Sequence, residues 1–495
     1  MRFTRRDFTR TLGAGLAAPF PPMALSQPRG RPKNVLLLMS DQHRPRALGV
    51  DGHPVAKTPN LDKLARSGVR FDHAYCSNPV CVPSRASLLT GLYTHNHKAY
   101  NNGTPWPFEK KTIAHYLGRA GYMTALIGKM HFVDGQTHGF DYRLDFNDWF
   151  QYLGPKTKLY ADELGKRNSG SGNPQIDDLW RDAGDPWLGT RTPDGRKGLV
   201  TVGATSKFEE KDHFESFVTR ESIRFLKNHA SRQPFFLITS YLKPHDPFTP
   251  AERFDRMFRA EDMPIPDTWG KVDLASVPKE VRESITNDWV TPEMRGNPEA
   301  VKRHIAYYYA NLAQMDDNVG VMLNALRELK LEDDTIVLYT TDHGEMLGEH
   351  GLFQKMQFYE PAVGVPLIVR APGVTPANAR SRTLVSQTGV VPTLLELCGL
   401  PVPAGLDGES FVADLREPGK PRQTTVFAEY ALRSPRAKGM IREGDFKYCY
   451  YKNDIAELFN LKDDPREMKN LALDPKYAAK VAAMQARLFA WHKPD

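Results

Sequence analysis

Apolar residues in this chain collect into short uninterrupted runs. Asn34-Val35-Leu36-Leu37-Leu38-Met39 is the clearest, and residues 124–127, 234–241, 335–339 and 365–369 repeat the pattern. A run without a polar break reads as a strand buried on both faces, as in a parallel sheet. Between the runs, residues 112–119, 214–229 and 301–329 carry apolar side chains at helical spacing. Strands alternating with amphipathic helices predict an α/β fold, a large central, mostly parallel sheet flanked by helices.

Two stretches break the alternation. Residues 150–212 are rich in Gly, Asp, Arg and Trp and contain Ser169-Gly170-Ser171-Gly172, and residues 250–298 carry many Pro and charged positions. Insertions of this kind in α/β enzymes often line the active-site mouth. From about residue 424 the pattern changes again. Residues 426–430, 438–442 and 446–451 are short and aromatic, and Glu443-Gly444-Asp445 supplies a turn, so antiparallel hairpins are expected. A helix over 476–491 closes the chain. These limits predict a catalytic α/β domain over 33–419 and a smaller C-terminal α+β subdomain with an antiparallel sheet over 420–495.

Composition changes the picture at the N-terminus. Met1-Arg2-Phe3-Thr4-Arg5-Arg6-Asp7-Phe8 is a basic start, residues 11–20 are weakly apolar, and Ala24-Leu25-Ser26 is a small-residue cleavage pattern. Residues 1–26 therefore read as a signal peptide. The Arg5-Arg6 pair followed by Phe8 resembles a twin-arginine signal, which exports folded proteins, so a periplasmic location is expected. Removing this segment lowers the formal net charge from +7 to +4. That bias is too weak to predict a nucleic-acid partner, and no basic run is interleaved with aromatics. No apolar run reaches the roughly 18 residues of a membrane span. The cysteines are Cys76, Cys81, Cys398 and Cys449, and an even count does not by itself establish a bridge. No required disulfide is expected.

Chemistry-bearing residues cluster where the apolar runs end, the place where open α/β sheets bind ligands. The first run leads into Ser40-Asp41-Gln42-His43, and 335–339 leads into Thr340-Thr341-Asp342-His343-Gly344-Glu345. Asp41, Gln42, Asp342 and His343 together offer two carboxylates, an amide oxygen and an imidazole, a candidate hard-cation site with one borderline donor. A single Asp after a strand is more often a helix N-cap. Two such strand ends in one chain favour the site. Cys81 opens Cys81-Val82-Pro83-Ser84-Arg85-Ala86-Ser87-Leu88-Leu89-Thr90-Gly91. Pro83 suits a first helical turn, and a helix N-terminus there favours negative charge. Run 124–127 leads into Gly128-Lys129-Met130-His131, run 234–241 into Lys243-Pro244-His245-Asp246-Pro247, and Lys355 lies in Gly351-Leu352-Phe353-Gln354-Lys355-Met356. Such cations suit a tetrahedral anion.

Taken in order from about residue 33 to about 470, these segments resemble the type I sulfatases, formylglycine-dependent members of the alkaline phosphatase superfamily. Glu457-Leu458-Phe459-Asn460-Leu461 with Asp464-Pro465-Arg466-Glu467 resembles the family's closing segment. The resemblance implies hydrolysis of a sulfate monoester to an alcohol and inorganic sulfate. It implies that a maturation enzyme converts Cys81 to formylglycine, whose hydrate is the nucleophile. It assigns Asp41, Gln42, Asp342, His343 and modified Cys81 to one divalent metal. Arg85 would orient the hydrate, Lys129 and Lys355 would hold sulfate oxygens, and His131 would assist the hydrate and its later collapse. His245 would protonate the departing alcohol.

Two positions depart from the commonest family pattern. Many members carry a second aspartate where Gln42 stands and an asparagine where His343 stands. Gln42 lowers the negative charge and His343 adds a softer donor, so Ca²⁺ is the first expectation and Mn²⁺ the alternative. The Asp-Gln and Asp-His pairs also resemble phosphonate monoester hydrolases. Lys129 with His131 resembles the sulfatase branch instead, and Gly128–Phe132 with His138-Gly139-Phe140 is similar to choline-sulfatase-like and carbohydrate-sulfatase-like members. An inactive binding relative would lack one of these residues, and no matched position is lost. The substrate is expected to be a small-molecule or glycan sulfate ester. Tyr359-Glu360, Asn101-Asn102, Trp106, Trp149, Trp180 and Trp187 are candidates to face its alcohol, although packing is the commoner role of a tryptophan.

Overall fold

A computed structural model describes residues 33–107, 109–132, 136–158, 202–286, 294, 296–422 and 424–495. The signal segment and the candidates Trp180 and Trp187 lie outside the described residues. Among the described residues twelve strands are formed: β1 Asn34–Asp41, β2 Val69–Tyr75, β3 Met123–Gly128, β4 Tyr142–Leu144, β5 Phe235–Pro244, β6 Thr335–Thr341, β7 Gly364–Arg370, β8 Ala379–Ser386, β9 Thr425–Tyr430, β10 Lys438–Glu443, β11 Phe446–Tyr451 and β12 Glu457–Asn460. The first eight form one sheet in the order β4-β3-β5-β1-β6-β7-β2-β8, and the last four form a second. Neighbours in the large sheet are parallel except at β7, which opposes both β6 and β2.

The apolar runs are explained by burial on both faces. Along β1, Leu36 and Leu38 enter one core while Val35, Leu37 and Met39 enter the other. β5 and β6 divide in the same way, with Leu237 and Val337 on one side and Phe236 and Ile336 on the other. The first core is covered by a helix at Phe214–His229 and a long helix at Pro298–Glu328, through Phe217, Val218, Leu312 and Met315. The long helix begins three residues earlier than its periodicity suggested. Asn297 accepts hydrogen bonds from the Glu299 and Ala300 amides and Pro298 occupies the first turn, so capping sets the start. The second core is covered by a fully buried helix at Cys81–Thr90.

The C-terminal meander is a four-stranded antiparallel sheet. Glu443 pairs with Phe446, so Gly444-Asp445 is a two-residue hairpin loop, and Gly444 takes the positive φ of 54° that such a loop demands. One face of this sheet, with Met440 and Cys449, packs into the second core of the large sheet. Its other face, with Ile441, Tyr448 and Leu458, packs under a closing helix at Ala478–Trp491 through Met484 and Leu488. Among the described residues no helix is long and apolar enough to cross a membrane. The four cysteines are buried free thiols.

Candidate active site

Topology assembles the site. The adjacent parallel strands β3, β5, β1 and β6 end side by side, with Gly128 in register with Ser240, Asp41 with Pro244 and Ser40 with Thr341. Lys129, His245, Asp41 and Asp342 therefore emerge along one edge of the sheet, the ligand-binding edge of open α/β folds. β2 ends at the same edge, and the chain beyond it enters the Cys81–Thr90 helix. Cys81 is the first residue of that helix, preceded by Val80, and the Val82 amide donates to Asn102 Oδ1 at 3.1 Å. Gly128 permits the close crossing of β3 and β5: a Cβ there would lie 1.9 Å from the Ser240 carbonyl oxygen, and φ is 111°.

Arg85 is the centre of the construction. Its side chain is fully buried; Nη2 donates to Asp41 Oδ2 at 2.7 Å, Nε to Asp342 Oδ2 at 2.9 Å and Nη1 to the Lys129 carbonyl at 2.6 Å. The guanidinium thus clamps two carboxylates from neighbouring strands in fixed relation, a task suited to its planar fork. Lys129 Nζ lies 2.6 Å from Asp41 Oδ2 and 4.0 Å from Cys81 Sγ. Lys355 Nζ donates to Gln42 Oε1 at 2.6 Å and lies 2.7 Å from His245 Nε2. His245 Nε2 is in turn 3.8 Å from Asp41 Oδ1. His131 adjoins the Cys81 sulfur, and no hydrogen bond of normal geometry satisfies either of its ring nitrogens. The candidate catalytic and metal-binding side chains are therefore linked in one cluster.

Ligand atoms of Asp41, Cys81, Asp342 and His343 lie within 4.8 Å of one another, and all four residues are buried. His343 Nδ1 faces the Gly344 carbonyl oxygen at 3.0 Å, which can only accept, so Nε2 is the nitrogen turned toward Cys81 Sγ at 3.3 Å. Asp41 Oδ1 is buried without a hydrogen-bond partner. Buried carboxylate oxygens are normally paired, so this orphan atom, with a second carboxylate and an oriented imidazole beside it, fits a bound divalent cation. Gln42 has φ of 64°, donates from Nε2 to Glu345 Oε2 at 2.5 Å, and presents Oε1 to Lys355.

The electrostatics follow from this packing. Burial opposes ionisation of the Cys81 thiol, but Lys129, Lys355 and His343 outweigh it and hold the thiol well below its usual value. Burial also opposes charge on Asp41, yet Lys129, His245 and Arg85 keep its carboxyl far below the ordinary carboxylate range. His245 loses charge through burial and regains it from Asp246, so its imidazole is raised to about 9. The field around the Cys81 sulfur favours a negative atom.

Some supporting roles do not follow from sequence position. Ser84 Oγ donates to the Asp342 carbonyl at 2.5 Å and lies 2.9 Å from Gln387 Oε1. Glu345 Oε1 accepts from the Leu347 and Gln354 amides at 2.8 and 2.6 Å, fixing the loop that carries Lys355. Only contact across the fold reveals these roles. Lys243, beside His245 in sequence, turns away to bond the Thr249 carbonyl and Asn311. The candidates for the alcohol side have partners within the protein. Glu360 faces Tyr75, Arg442 and Lys447, and Tyr359 donates to Glu457 at 2.7 Å. Trp149 donates to the Asp212 carbonyl and packs among Phe150, Phe208 and Phe214. Trp106 is buried against Phe132 and His138. Burial of aromatic area wins at both described candidate tryptophans, Trp106 and Trp149. Asn101 holds the Gly103 amide, and Asn102 braces the Cys81 helix.

Comparison with known proteins agrees with this geometry. The Sulfatase family profile matches residues 33–400, and the profile described as N-sulphoglucosamine sulphohydrolase, C-terminal, matches 348–493. A choline-sulfatase of Rhizobium meliloti (strain 1021) is 32% identical over 465 residues, covering 92% of this chain and 85% of the relative. The crystal structure of a phosphonate monoester hydrolase of Agrobacterium radiobacter superposes with a TM-score of 0.77 at 26% identity, covering 92% of this chain and 95% of that one. A structure solved with its substrate D-glucosamine-2-N,6-O-disulfate superposes with a TM-score of 0.71 at 25% identity, covering 94% and 99%. The chain belongs to the sulfatase family and is a sulfuric ester hydrolase.

Proposed function

We propose that the chain hydrolyses a sulfate monoester through a formylglycine hydrate formed from Cys81, with one divalent cation held by Asp41, Gln42, Asp342, His343 and residue 81. The observation that carries this is the convergence of Lys129, Lys355, His343 and His131 on a buried residue 81 beside the orphan oxygen of Asp41. When present, the hydrate supplies a nucleophilic oxygen and a second hydroxyl whose deprotonation expels sulfate, and the cation supplies Lewis acidity. The chain's own residues do the remainder. Lys129 and Lys355 hold the oxygens of the anion, His245 gives a proton to the departing alcohol oxygen, and His131 takes and returns a proton at residue 81. Arg85 keeps Asp41 and Asp342 at fixed separation. Two hard carboxylates favour Ca²⁺, with Mn²⁺ as the alternative because His343 contributes nitrogen.

The second reading is a phosphonate monoester hydrolase, favoured by the structural likeness to the Agrobacterium enzyme. Lys129 and His131 support the sulfate ester. Rates on an aryl sulfate and an aryl phosphonate monoester separate the two, and equal or faster turnover of the phosphonate would sink the sulfatase proposal. Mass spectrometry of the Cys81 peptide checks the modification. An intact thiol in fully active protein overturns the mechanism. The names of the relatives set the substrate panel, choline sulfate and sulfated glucosamines. Export through the Arg5-Arg6 signal is part of the proposal, and a reporter fused to residues 1–32 should reach the periplasm only with both arginines intact. Modification of Cys81 would then precede export, in the cytoplasm.

A further inference from the structure

Asp246 follows His245 just beyond the end of β5, and its carboxylate joins three parts of the active site. Oδ1 lies 3.3 Å from His245 Nδ1, accepts from Gln354 Nε2 at 2.9 Å and lies 3.4 Å from Gln42 Nε2. The carbonyl oxygen of the same residue is 2.6 Å from His245 Nδ1. A carbonyl can only accept, so Nδ1 carries a proton and Nε2 is the nitrogen left to the site. Nε2 lies 2.7 Å from Lys355 Nζ and 3.8 Å from Asp41 Oδ1, on the side of the anion-binding lysine. The His245 side chain is 4% exposed and that of Asp246 26%. The ring is thus shut from water, whereas the carboxylate keeps enough solvent to bear its charge.

Gln42 and Gln354 reach this carboxylate from strained backbone, with φ of 64° and 68°. Gln354 precedes Lys355, and its amide donates to Glu345 Oε1 at 2.6 Å. The loop around His245 has other supports. The His245 amide donates to the Leu242 carbonyl at 3.1 Å, Lys243 Nζ to the Thr249 carbonyl at 2.8 Å and Asn311 Nδ2 to the Pro247 carbonyl at 3.3 Å. Removing the carboxylate would therefore leave the loop in place and release the imidazole and its link to the Lys355 loop.

We propose that Asp246 is a positioning residue for departure of the alcohol, holding the His245 imidazole and the Lys355 loop in register through one carboxylate. This rests on the reading of His245 as the acid. As the sulfur–oxygen bond to the alcohol breaks, its electron pair passes to the alcohol oxygen, which takes the Nε2 proton. The imidazole is left neutral, with its Nδ1 proton still on the Asp246 carbonyl. A carboxylate beside Nδ1 holds the ring in the orientation and tautomer that this transfer needs, as the third member of a catalytic triad does. The need for the proton depends on the leaving group. A nitrophenolate departs with little help, whereas an electron-rich phenolate or an alkoxide requires the acid.

The test uses the full mature chain carrying formylglycine, with kcat measured on para-nitrophenyl sulfate and para-methoxyphenyl sulfate. Asp246→Ala should lower kcat on the methoxyphenyl ester by about 10–100-fold and on the nitrophenyl ester by less than about threefold. Asp246→Asn keeps an acceptor oxygen, so its ratio between the two esters should fall between those of the wild type and Asp246→Ala. A merely structural role predicts equal loss on both esters, and that result would overturn the proposal. His245→Ala is the reference. An ester-dependent loss there without one in Asp246→Ala overturns the role of Asp246 alone. Equal loss on both esters in His245→Ala overturns the acid assignment, and this proposal with it. Asp246→Ser gives the same comparison if Asp246→Ala folds poorly.

Discussion

Two buried ionic clusters in this enzyme are built from similar residues and do different work. Around Cys81, Arg85 and Lys129 meet Asp41 and Asp342. Where the large sheet meets the C-terminal sheet, Lys447 and Arg442 meet Glu360 and Glu467. In the second cluster Glu360 accepts from Tyr75 at 2.8 Å, Lys447 at 2.9 Å and Arg442 at 3.2 Å, and Lys447 also donates to the Phe358 carbonyl at 2.7 Å. Burial opposes charge on Lys447, but Glu360 and Glu467 raise it to about 12, so it stays an ammonium with its partners in place. In the first cluster Asp41 Oδ1 and both His131 nitrogens lack a hydrogen bond of normal geometry, and cations converge on a single sulfur. In the second cluster each charge faces an opposite charge and secures a junction, whereas in the first the cations converge on one potentially reactive residue.

Substitutions should pull the two clusters apart. The largest effect is expected from Cys81→Ala, which removes the nucleophile and should lower kcat by at least about 10⁴-fold while circular dichroism stays native. Lys129→Ala comes next. It removes a charge aimed at the substrate anion and should cost about 10²–10³-fold in kcat, measured on an aryl sulfate. Lys447→Met should act the other way round. Leaving buried Glu467, with the partly exposed Glu360 beside it, without their ammonium should cost about 3–5 kcal/mol in urea unfolding, with kcat/KM changed by less than about twofold. A tenfold loss of turnover in that variant would show that the junction feeds the active site.

The smallest effect concerns pH. His350 stacks on Tyr359 near the junction, and burial lowers its imidazole to about 4. Its folded value lies below its unfolded value, so the unfolded chain takes up the proton first. Stability is then complete above about pH 6.5 and lost as pH falls toward 4. His350→Gln should flatten that part of the stability profile by about 1–3 kcal/mol without moving the pH profile of turnover. An unchanged stability profile would mean that the imidazole is not held neutral.

Much of the architecture was legible because burial on both faces writes itself into continuous apolar runs. β1, β3, β5, β6 and β7 all stand where such runs lie. β2 and β8 were not legible. Val69-Arg70-Phe71-Asp72-His73 and Ala379-Arg380-Ser381-Arg382 mix charges into positions that alternate between core and surface, as happens toward the edge of a sheet. The reversal of β7 was not legible either, since a buried run looks alike in both directions.

The same division holds at the site. The sequence by itself determined which residue types stand at the ends of the apolar runs, because strand ends are local features and the Cys81 motif is contiguous. It also predicted a helix with Pro83 in its first turn, which the structure begins two residues earlier, at Cys81. Tertiary structure alone decided that β3, β5, β1 and β6 lie side by side, which brings Lys129, His245, Asp41 and Asp342 together. It alone decided that Arg85 spans two carboxylates, that Glu345 bonds Gln42, and that Glu360 is tied to Lys447 at the junction. Strand order and side-chain partnership are long-range properties, set by which surfaces can be buried together, and no local pattern of residues encodes them.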